Sequence, residues 1–362
     1  MSETIVDLLY KLKSLFWYLI DVVSFRWLWW KEHDAEKNST QSLFLLFSSI
    51  GFYFVLIFAY PFKLIFSGEW ELNQKIVLGD VSGFGAIELR FYAITMLLGV
   101  ISGYLLCLKL AKIRGLADTV VDRLFVGLVV FGLIGARFFY VIFNFQNFSD
   151  SFLGVFEIYK GGLAVFGMIL AGAGYMIWYC SRYKFNFWLF ADFVAPGVLL
   201  GQIVGRFGNF FNYESYGTPT KVWWGMHIPD SANLEYLTSR YFHPTFLYEI
   251  IPNFILFLFI LRNYKKLTQK HAGLILGVYL IGYGVIRSFV EPFRIDPLVV
   301  TLPQPINVNL DFIVKNTFNF QIIDVRISSI AAVVAVITGI WIYSKRSKIY
   351  VKYQTVTEIK YK

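Results

Sequence analysis

The residues with the strongest chemical character in this sequence are ionisable side chains inside or at the edges of apolar segments. They comprise Arg137, Arg206, Arg287, Arg294, Glu249 and Glu291. Charges inside a hydrocarbon layer are costly, so each is a candidate functional residue. The arginines outnumber the carboxylates, and a surplus of buried positive charge favours a bound anion. Arginine binds phosphate through a planar fork of N–H donors. The sequence therefore predicts a phosphate-binding site, and within a membrane the natural ligand is a phospholipid headgroup.

The same charges are predicted to share one depth in the membrane. Arg137 comes late in an apolar segment that runs outward, Arg206 ends another, and Arg287 lies near the outer end of a third. Glu249 begins a segment that runs back inward. Arg287 and Glu291 are also spaced i,i+4, so these two residues could simply pair with each other.

Asp192 is predicted to lie at a different depth in the membrane from the other charged residues, because it comes near the cytoplasmic start of its apolar segment. A carboxylate at that position is typical of a helix-start cap or of a packing residue. We therefore leave it out of the predicted site.

The segment from Gly205 to Gly217 is the most specific motif in the chain. It reads Gly-Arg-Phe-Gly-Asn-Phe-Phe-Asn-Tyr-Glu-Ser-Tyr-Gly and directly follows an apolar segment. Its glycines permit close backbone approach to a ligand. Its asparagines and Glu214 offer directed hydrogen bonds, which an apolar environment would not tolerate unsatisfied. A plain helix end needs one capping residue, so this cluster indicates a functional segment.

The composition identifies the elements that must position these residues. Of the 362 residues, 57% are apolar and only 16% are charged, whereas soluble domains carry about 25% charged residues. Apolar runs long enough to cross a bilayer as helices recur along the chain. They are 42–66, 90–112, 124–143, 163–180, 188–206, 246–262, 273–290 and 328–344. These runs lack the two-residue alternation of barrel strands. The predicted fold class is therefore all-α: a polytopic integral membrane helical bundle.

The predicted organisation has three parts. Residues 1–80 form an N-terminal extension with one span, preceded by an interfacial helix within 5–30; a ninth span is the alternative for that stretch. Residues 81–345 form a seven-span body, and 346–362 a basic cytoplasmic tail. The two cysteines, Cys107 and Cys180, do not make a disulfide framework, and we expect buried inert thiols.

Basic residues give the orientation, because they concentrate in alternate loops and in the tail. The loop after the 90–112 span, for example, carries Lys112 and Arg114. The positive-inside rule places these loops and both termini in the cytoplasm, and the arginine site in the outer half of the membrane. The net charge of +9 is then explained by orientation and by attraction to anionic lipids, without nucleic-acid binding.

These motifs resemble those of the prolipoprotein diacylglyceryl transferases of bacterial inner membranes, over about residues 80–345. The most diagnostic is Gly205–Gly217. The others, in order, are Arg90-Phe91-Tyr92, Gly135–Tyr140, Gly161–Ala164 with Gly167, Asp192–Pro196, His243-Pro244 with Leu247-Tyr248-Glu249, and Arg287–Arg294.

The resemblance implies transfer of a diacylglyceryl group from phosphatidylglycerol to the lipobox cysteine thiol of a prolipoprotein signal peptide. The product is a thioether, glycerol phosphate is released, and this is the first step of bacterial lipoprotein maturation. The family uses no metal or organic cofactor, and the four histidines here, at positions 33, 227, 243 and 271, are scattered. We expect a monomer in the inner membrane.

The resemblance and the charges together give two sets of site residues. The predicted catalytic residues are Arg206, Asn209, Glu214, Arg287, Glu291 and His243. The predicted phosphatidylglycerol-binding residues are Tyr92, Arg137, Tyr140, Arg206, Gly217 and Arg294. Arg137, Arg206 and Arg287 would bind the headgroup and stabilise the leaving phosphate. Asn209 and Glu214 would orient the glycerol and phosphate, and Tyr92 would add a hydrogen bond. Glu291 would hold the arginines in place, and Arg294 would fold back over the cavity mouth.

One position departs from the family pattern. Many members carry a histidine, proposed as general base, four residues after the second glycine of the Gly161-Gly162 motif; here that residue is Phe166, and Met168 replaces a usual glycine. The candidate replacements are His243, Glu249 and Glu291, of which His243 has the most suitable unperturbed pKa. A degenerate, weakly active paralogue is the alternative. Outside the family, an anionic-lipid transporter or flippase and a non-catalytic scaffold remain as rival functions.

Overall fold

The computed structural model describes residues 39–69, 74–81, 85–148, 152–156, 161–229, 239–295, 299–300 and 325–346. These residues form eight α-helices. They are α1 (Ser39–Ser67), α2 (Phe91–Lys112), α3 (Asp118–Phe143), α4 (Val165–Arg182), α5 (Phe187–Asn212), α6 (Thr245–Lys270), α7 (Leu274–Val290) and α8 (Ile327–Arg346). The interfacial helix predicted within 5–30, and all of the predicted tail after Arg346, lie outside the described residues.

Six of these helices, α2, α3, α5, α6, α7 and α8, are long and apolar enough to cross a membrane. The predicted all-α membrane bundle is therefore confirmed. The remaining two predicted spans, 42–66 and 163–180, fall on α1 and α4, which are not among the six. The total of eight spans stays a prediction.

Small residues allow the helices to pack closely in pairs. A Cβ atom on Gly103 of α2 would lie 2.7 Å from the carbonyl oxygen of Gly197 on α5, and one on Gly284 of α7 would lie 2.6 Å from that of Ala332 on α8. Backbone approach of this kind drives helix association where lipid removes the hydrophobic difference between helix and solvent. The pairs α2–α5 and α7–α8 thereby carry Tyr92, Arg206 and Arg287 on fixed elements.

Asp192 joins two helices at the end of α5 opposite Arg206. Its fully buried carboxylate accepts hydrogen bonds from the backbone N–H groups of Gly273 (2.7 Å), Ile275 (3.0 Å) and Leu276 (3.2 Å). Arg114 lies 3.5 Å away. The expected cap is therefore present, but Asp192 caps the start of α7 and not of its own helix. Three N–H groups that have no intrahelical partner are satisfied in this way.

Three short antiparallel strand pairs accompany the helices. Strands β1 (Lys75–Val81) and β2 (Gly85–Arg90) form a hairpin that leads directly into α2. Strands β3 (Met226–His227) and β4 (Tyr241–Phe242) pair beside the start of α6, and β5 (Val299–Val300) pairs with β6 (Val325–Arg326) before α8. This hairpin was not predicted from the sequence. Its sequence signal was the short alternation Ile87-Glu88-Leu89-Arg90 in β2, whereas β1 has three consecutive apolar residues before Gly79.

Candidate active site

Glu249 is the centre of the arginine cluster. Its carboxylate is 3% exposed, and one oxygen lies 2.5 Å from a guanidinium nitrogen of Arg206 while the other lies 2.5 Å from one of Arg287. A nitrogen of Arg294 is 3.7 Å from the same oxygen as Arg287. The C-terminal part of α5, the last turn of α7 and the segment after α7 therefore converge near the start of α6.

Glu291 binds the same cluster from a second side. Its carboxylate is 2.8 Å from Arg287, so the i,i+4 pair that the spacing allowed is present. The hydroxyl of Ser328, in the first turn of α8, donates to the other carboxylate oxygen. Glu291 thus lies where it can hold Arg287 in place, as the sequence suggested. Glu249, predicted from the sequence as a charge at the same depth as the arginines and as a possible base, contacts three arginines and is the more central carboxylate.

Buried ion pairs of this kind are expensive to assemble, because each charge loses its hydration. The side chains of Arg206, Arg287 and Arg294 are 22%, 12% and 11% exposed. A membrane protein that only needed to fold would gain as much from apolar packing at these positions. Guanidinium groups that are partly accessible and held by carboxylates are arranged to receive an anion.

The Gly205–Gly217 segment forms the end of α5 and the turn that follows it. The amide oxygen of Asn209 accepts from Arg206 at 3.3 Å, one helical turn away. Tyr213 ends the helix in the left-handed conformation with φ of 52°. Glu214 is exposed, and its carboxylate accepts from the side-chain amide of Asn212 at 3.0 Å. Asn209 therefore joins the arginine cluster, whereas Glu214 lies on the accessible side of the turn.

Gly217 ties this turn to the rest of the site. Its N–H donates to the carbonyl of His243 at 2.8 Å, and it pairs with Arg294 in an isolated β-bridge. A Cβ atom at this position would lie 2.5 Å from the carbonyl oxygen of Phe293 and 2.7 Å from Cβ of His243. Only glycine fits there. The prediction that Gly217 contacts phosphatidylglycerol is untested, but its packing sets the position of Arg294.

Tyr92 lies at the start of α2, with its ring against Gly208 of α5. A Cβ atom on Gly208 would lie 2.8 Å from a ring carbon of Tyr92. The neighbouring Phe91 stacks on Phe211 at 5.3 Å. These contacts place the Tyr92 ring next to the turn that carries Arg206 and Asn209.

Arg137 contacts a different segment. Its guanidinium donates to the backbone carbonyls of Gly154 (2.7 Å), Val155 (2.8 Å), Gly161 (2.7 Å) and Gly162 (3.0 Å). It also lies over the ring of Tyr140, 5.7 Å from the centroid. In this arrangement Arg137 holds together the backbone at residues 154–155 and 161–162, between α3 and α4. The roles of Arg137 and Tyr140 in headgroup binding stay predictions.

His243 lies beside the arginine cluster, in the turn before α6. Its Nδ1 is 2.9 Å from the hydroxyl oxygen of Tyr248, and its ring packs edge-on against Phe293 at 5.2 Å. Partial burial lowers the pKa of His243 below its usual value of about 6.5. The neutral imidazole, the form that can accept a proton, is therefore favoured at neutral pH.

The thiols of the chain itself lie outside this arrangement. Cys107 donates weakly to the carbonyl of Phe193 at 3.5 Å, near Asp192, and Cys180 is 2% exposed near the end of α4. Within the described part of the chain, no group of three or more His, Cys, Asp or Glu residues is placed to hold a metal ion. The arrangement can bind an anion with arginines beside a neutral histidine.

Comparison with known proteins adds the following similarities. The family model described as prolipoprotein diacylglyceryl transferase matches residues 81–345. A relative from Parasynechococcus marenigrum is 38% identical over 222 residues, covering 60% of this chain and 80% of that protein. One from Gloeobacter violaceus is 40% identical over 223 residues, covering 60% and 81%. One from Synechocystis sp. is 36% identical over 244 residues, covering 65% and 84%. All three are named phosphatidylglycerol–prolipoprotein diacylglyceryl transferase.

Proposed function

The chain belongs to the prolipoprotein diacylglyceryl transferase family, and from this we propose that it transfers a diacylglyceryl group from phosphatidylglycerol to the lipobox cysteine thiol of prolipoproteins. It is a multi-pass membrane protein. Its substrates under this proposal are the two that the names of its relatives contain, and the reaction is the first step of lipoprotein lipidation.

The convergence of Arg206, Arg287 and Arg294 on buried Glu249 is the observation that carries the proposal. A phosphodiester headgroup offers oxygens that match the N–H forks of guanidinium groups. During transfer, negative charge accumulates on the leaving phosphate, and prearranged donors stabilise that charge without having to reorganise. Arg206 and Arg287 are the groups that would act in this way, with Asn209 orienting the guanidinium of Arg206.

The chemical step is a displacement at carbon. The thiol gives its proton to a base, and the sulfur then forms a bond to the glyceryl carbon that carries the phosphate. The bond between that carbon and the phosphate oxygen breaks, and its electron pair leaves with glycerol phosphate. The proton held by the base passes to the phosphate or to water. No oxidant or reductant is needed, and the nucleophile comes from the prolipoprotein.

His243 is the best of the three candidate bases. The carboxylates of Glu249 and Glu291 form ion pairs with guanidinium groups at 2.5 Å and 2.8 Å. Because these ion pairs stabilise the charged carboxylates, both groups are poor proton acceptors. His243 uses Nδ1 to contact Tyr248, and its Nε2 makes no hydrogen bond with the described residues. A ring with one nitrogen held and the other open has the geometry of a general base. His243 would thereby act as general base in place of the histidine that many family members carry at the position of Phe166, because a phenylalanine side chain cannot accept a proton.

The remaining parts of the proposal concern location. We place the protein in the bacterial inner membrane with both termini in the cytoplasm and the arginine cluster in the outer half. Lys112 and Arg182 lie in the last turns of α2 and α4, at the helix ends assigned to the cytoplasm. The arginine cluster lies at the opposite end of α5 from Asp192, about 20 Å away along the helix. A monomer is sufficient, because all the groups named come from one chain.

A transfer assay tests the function. Purified protein is incubated with phosphatidylglycerol and a lipobox peptide, and both lipidated peptide and released glycerol phosphate are measured. We expect transfer by the wild type and a loss of at least 100-fold in Arg206→Ala, since one donor to developing charge contributes about 10²–10³-fold. Arg240→Ala is the matched control, because Arg240 is exposed just before β4.

The alternatives predict other outcomes. Lipid movement between leaflets without released glycerol phosphate would favour a transporter or flippase. Phosphatidylglycerol binding without transfer in the folded wild type would indicate a degenerate paralogue and make Phe166 the decisive departure. Equal loss in Arg206→Ala and Arg240→Ala would contradict the assignment of the site.

A further inference from the structure

Three side chains form a hydrogen-bonded row that ends on His243. The indole Nε1 of Trp224 donates to the hydroxyl oxygen of Tyr248 at 2.7 Å, and that oxygen lies 2.9 Å from Nδ1 of His243. The sequence analysis assigned no role to Trp224, and it noted Tyr248 only as part of a motif. Both contacts join different segments, since Trp224 precedes β3 and Tyr248 lies in the first turn of α6.

The chemistry of the three groups decides what this row can do. An indole N–H is a donor only, so Trp224 occupies one lone pair of the Tyr248 oxygen and fixes its position. The hydroxyl keeps both a proton and a second lone pair. When the neutral imidazole has Nε2 free to accept a proton, its Nδ1 carries the hydrogen and donates to this second lone pair. It continues to donate there when the imidazole is charged. The ring of His243 keeps a partner in both states.

From this geometry we infer that Tyr248 and Trp224 are positioning residues for His243. They hold the imidazole with Nε2 directed to the reacting thiol, and they supply the hydrogen bond that an imidazolium needs at Nδ1. The inference rests on the proposed function, in which His243 accepts the thiol proton. A charged ring whose second N–H has no partner is disfavoured in a half-buried site. Without the Tyr248 hydroxyl, His243 would therefore be a weaker base.

No other titratable group competes for this role among the described residues around His243. The backbone of His243 pairs with the backbone of Gly217 and Thr218, in the turn before β3, and its ring meets the ring of Phe293, in the segment after α7. Arg294, next to Phe293, directs its guanidinium to Glu249 and to the hydroxyl of Ser215. Tyr248 is the titratable side chain in hydrogen-bond contact with the imidazole.

The neighbouring tryptophan supplies a matched control. Trp223 is 90% exposed and packs edge-on against Trp224 at 5.1 Å, but its indole N–H makes no hydrogen bond with the described residues. Replacing either tryptophan with phenylalanine keeps an aromatic ring and removes one N–H. Only the change at Trp224 removes a donor to Tyr248.

The experiment measures kcat/KM for diacylglyceryl transfer against pH in the wild type, Tyr248→Phe, Trp224→Phe and Trp223→Phe. In Tyr248→Phe we expect the acid limb to move about one pH unit lower, because hydrogen bonds to charged groups stabilise them by about 1.5–3 kcal/mol, and the rate to fall about tenfold. Trp224→Phe should shift the limb in the same direction by less. Trp223→Phe should match the wild type.

The outcomes separate this inference from the function itself. A wild type that transfers, with an unshifted acid limb in Tyr248→Phe, would overturn the positioning role and leave the transferase intact. Full activity in His243→Ala would overturn it as well. A uniformly lower rate with an unmoved limb in Tyr248→Phe would show a structural role only. A folded wild type without transfer would instead remove the proposed function on which the inference rests.

Discussion

Replacing Glu249 with glutamine tests whether this carboxylate holds the arginine cluster together. Glutamine keeps the shape of the side chain but removes the charge. It also turns one acceptor oxygen into an NH₂ donor, which would face a guanidinium N–H of Arg206 or Arg287 at a spacing that is now 2.5 Å. One arginine would then lose its partner and meet another donor. Glu249→Gln should therefore destabilise the folded protein.

The size of the effect follows from the surroundings of the two arginines. Removing one partner of a buried ion pair costs about 3–5 kcal/mol. Arg287 keeps Glu291 at 2.8 Å, and the side chain of Arg206 is 22% exposed and can recruit water. The lower end, about 3 kcal/mol, is therefore expected, which corresponds to a fall in melting temperature of roughly 4 °C for a chain of 362 residues. Glu214→Gln is the control, because an exposed carboxylate should change stability by no more than about 0.5 kcal/mol.

Thermal unfolding of the purified protein in detergent gives the melting temperatures of Glu249→Gln and Glu214→Gln. The same measurement with added lipid tests whether an anion binds the arginines. A ligand that binds the folded state raises the melting temperature. Phosphatidylglycerol brings a negative charge to the arginines, so it should stabilise Glu249→Gln more than it stabilises the wild type. Diacylglycerol, which lacks the phosphate, should not. Equal melting temperatures for Glu249→Gln and wild type, or equal rescue by diacylglycerol, would refute the reasoning.

Four further predictions concern single residues. Gly217→Ala should lower stability by about 1–3 kcal/mol through overpacking and reduce the transfer rate, whereas Gly174→Ala, with no atom within 4 Å of the added Cβ, should alter neither melting temperature nor rate. Arg137→Lys should increase proteolysis between α3 and α4, because an ammonium group cannot span the four carbonyls that the guanidinium reaches. Asp192→Asn should lower the melting temperature by weakening the cap of α7, at a cost of about 1–3 kcal/mol, with an unchanged rate per folded molecule. Because burial lowers the pKa of His243 from its usual value of about 6.5, the acid limb of kcat/KM should have its midpoint below that pH, and His243→Ala should lose this limb.

The membrane architecture could be predicted because hydropathy acts locally. A run of about 20 apolar residues must form a helix in lipid, whatever its neighbours are, since no other structure satisfies its backbone. Each of the eight predicted spans therefore corresponds to a helix, with ends displaced by up to eight residues. The hairpin Lys75–Arg90 was missed because its strands are short, β1 lacks the two-residue alternation of a strand, and the alternation in β2 covers only four residues.

The sequence alone determined which residue types gather near one end of the bundle. Arg206, Arg287, Arg294, Glu249 and Glu291 are ionisable groups at or near span ends, and the Gly205–Gly217 motif marked the turn after α5 as a candidate functional segment. Family resemblance supplied the reaction and the substrates. These conclusions need only residue identity and order along the chain, because the cost of charge in lipid and the chemistry of a motif do not depend on neighbours distant in sequence.

Only the tertiary structure decided which groups face each other. Ion pairing at 2.5 Å depends on how α5, α6 and α7 are rotated about their axes, and spacing within one helix does not contain that information. In the structure, Glu249 pairs with both Arg206 and Arg287. Arg137 donates to backbone carbonyls between α3 and α4. Trp224 and Tyr248 form a hydrogen-bonded row that ends on His243. Apart from the contact between His243 and Tyr248, which are five residues apart, these contacts join residues far apart in sequence, and the packing of the helices fixes them together.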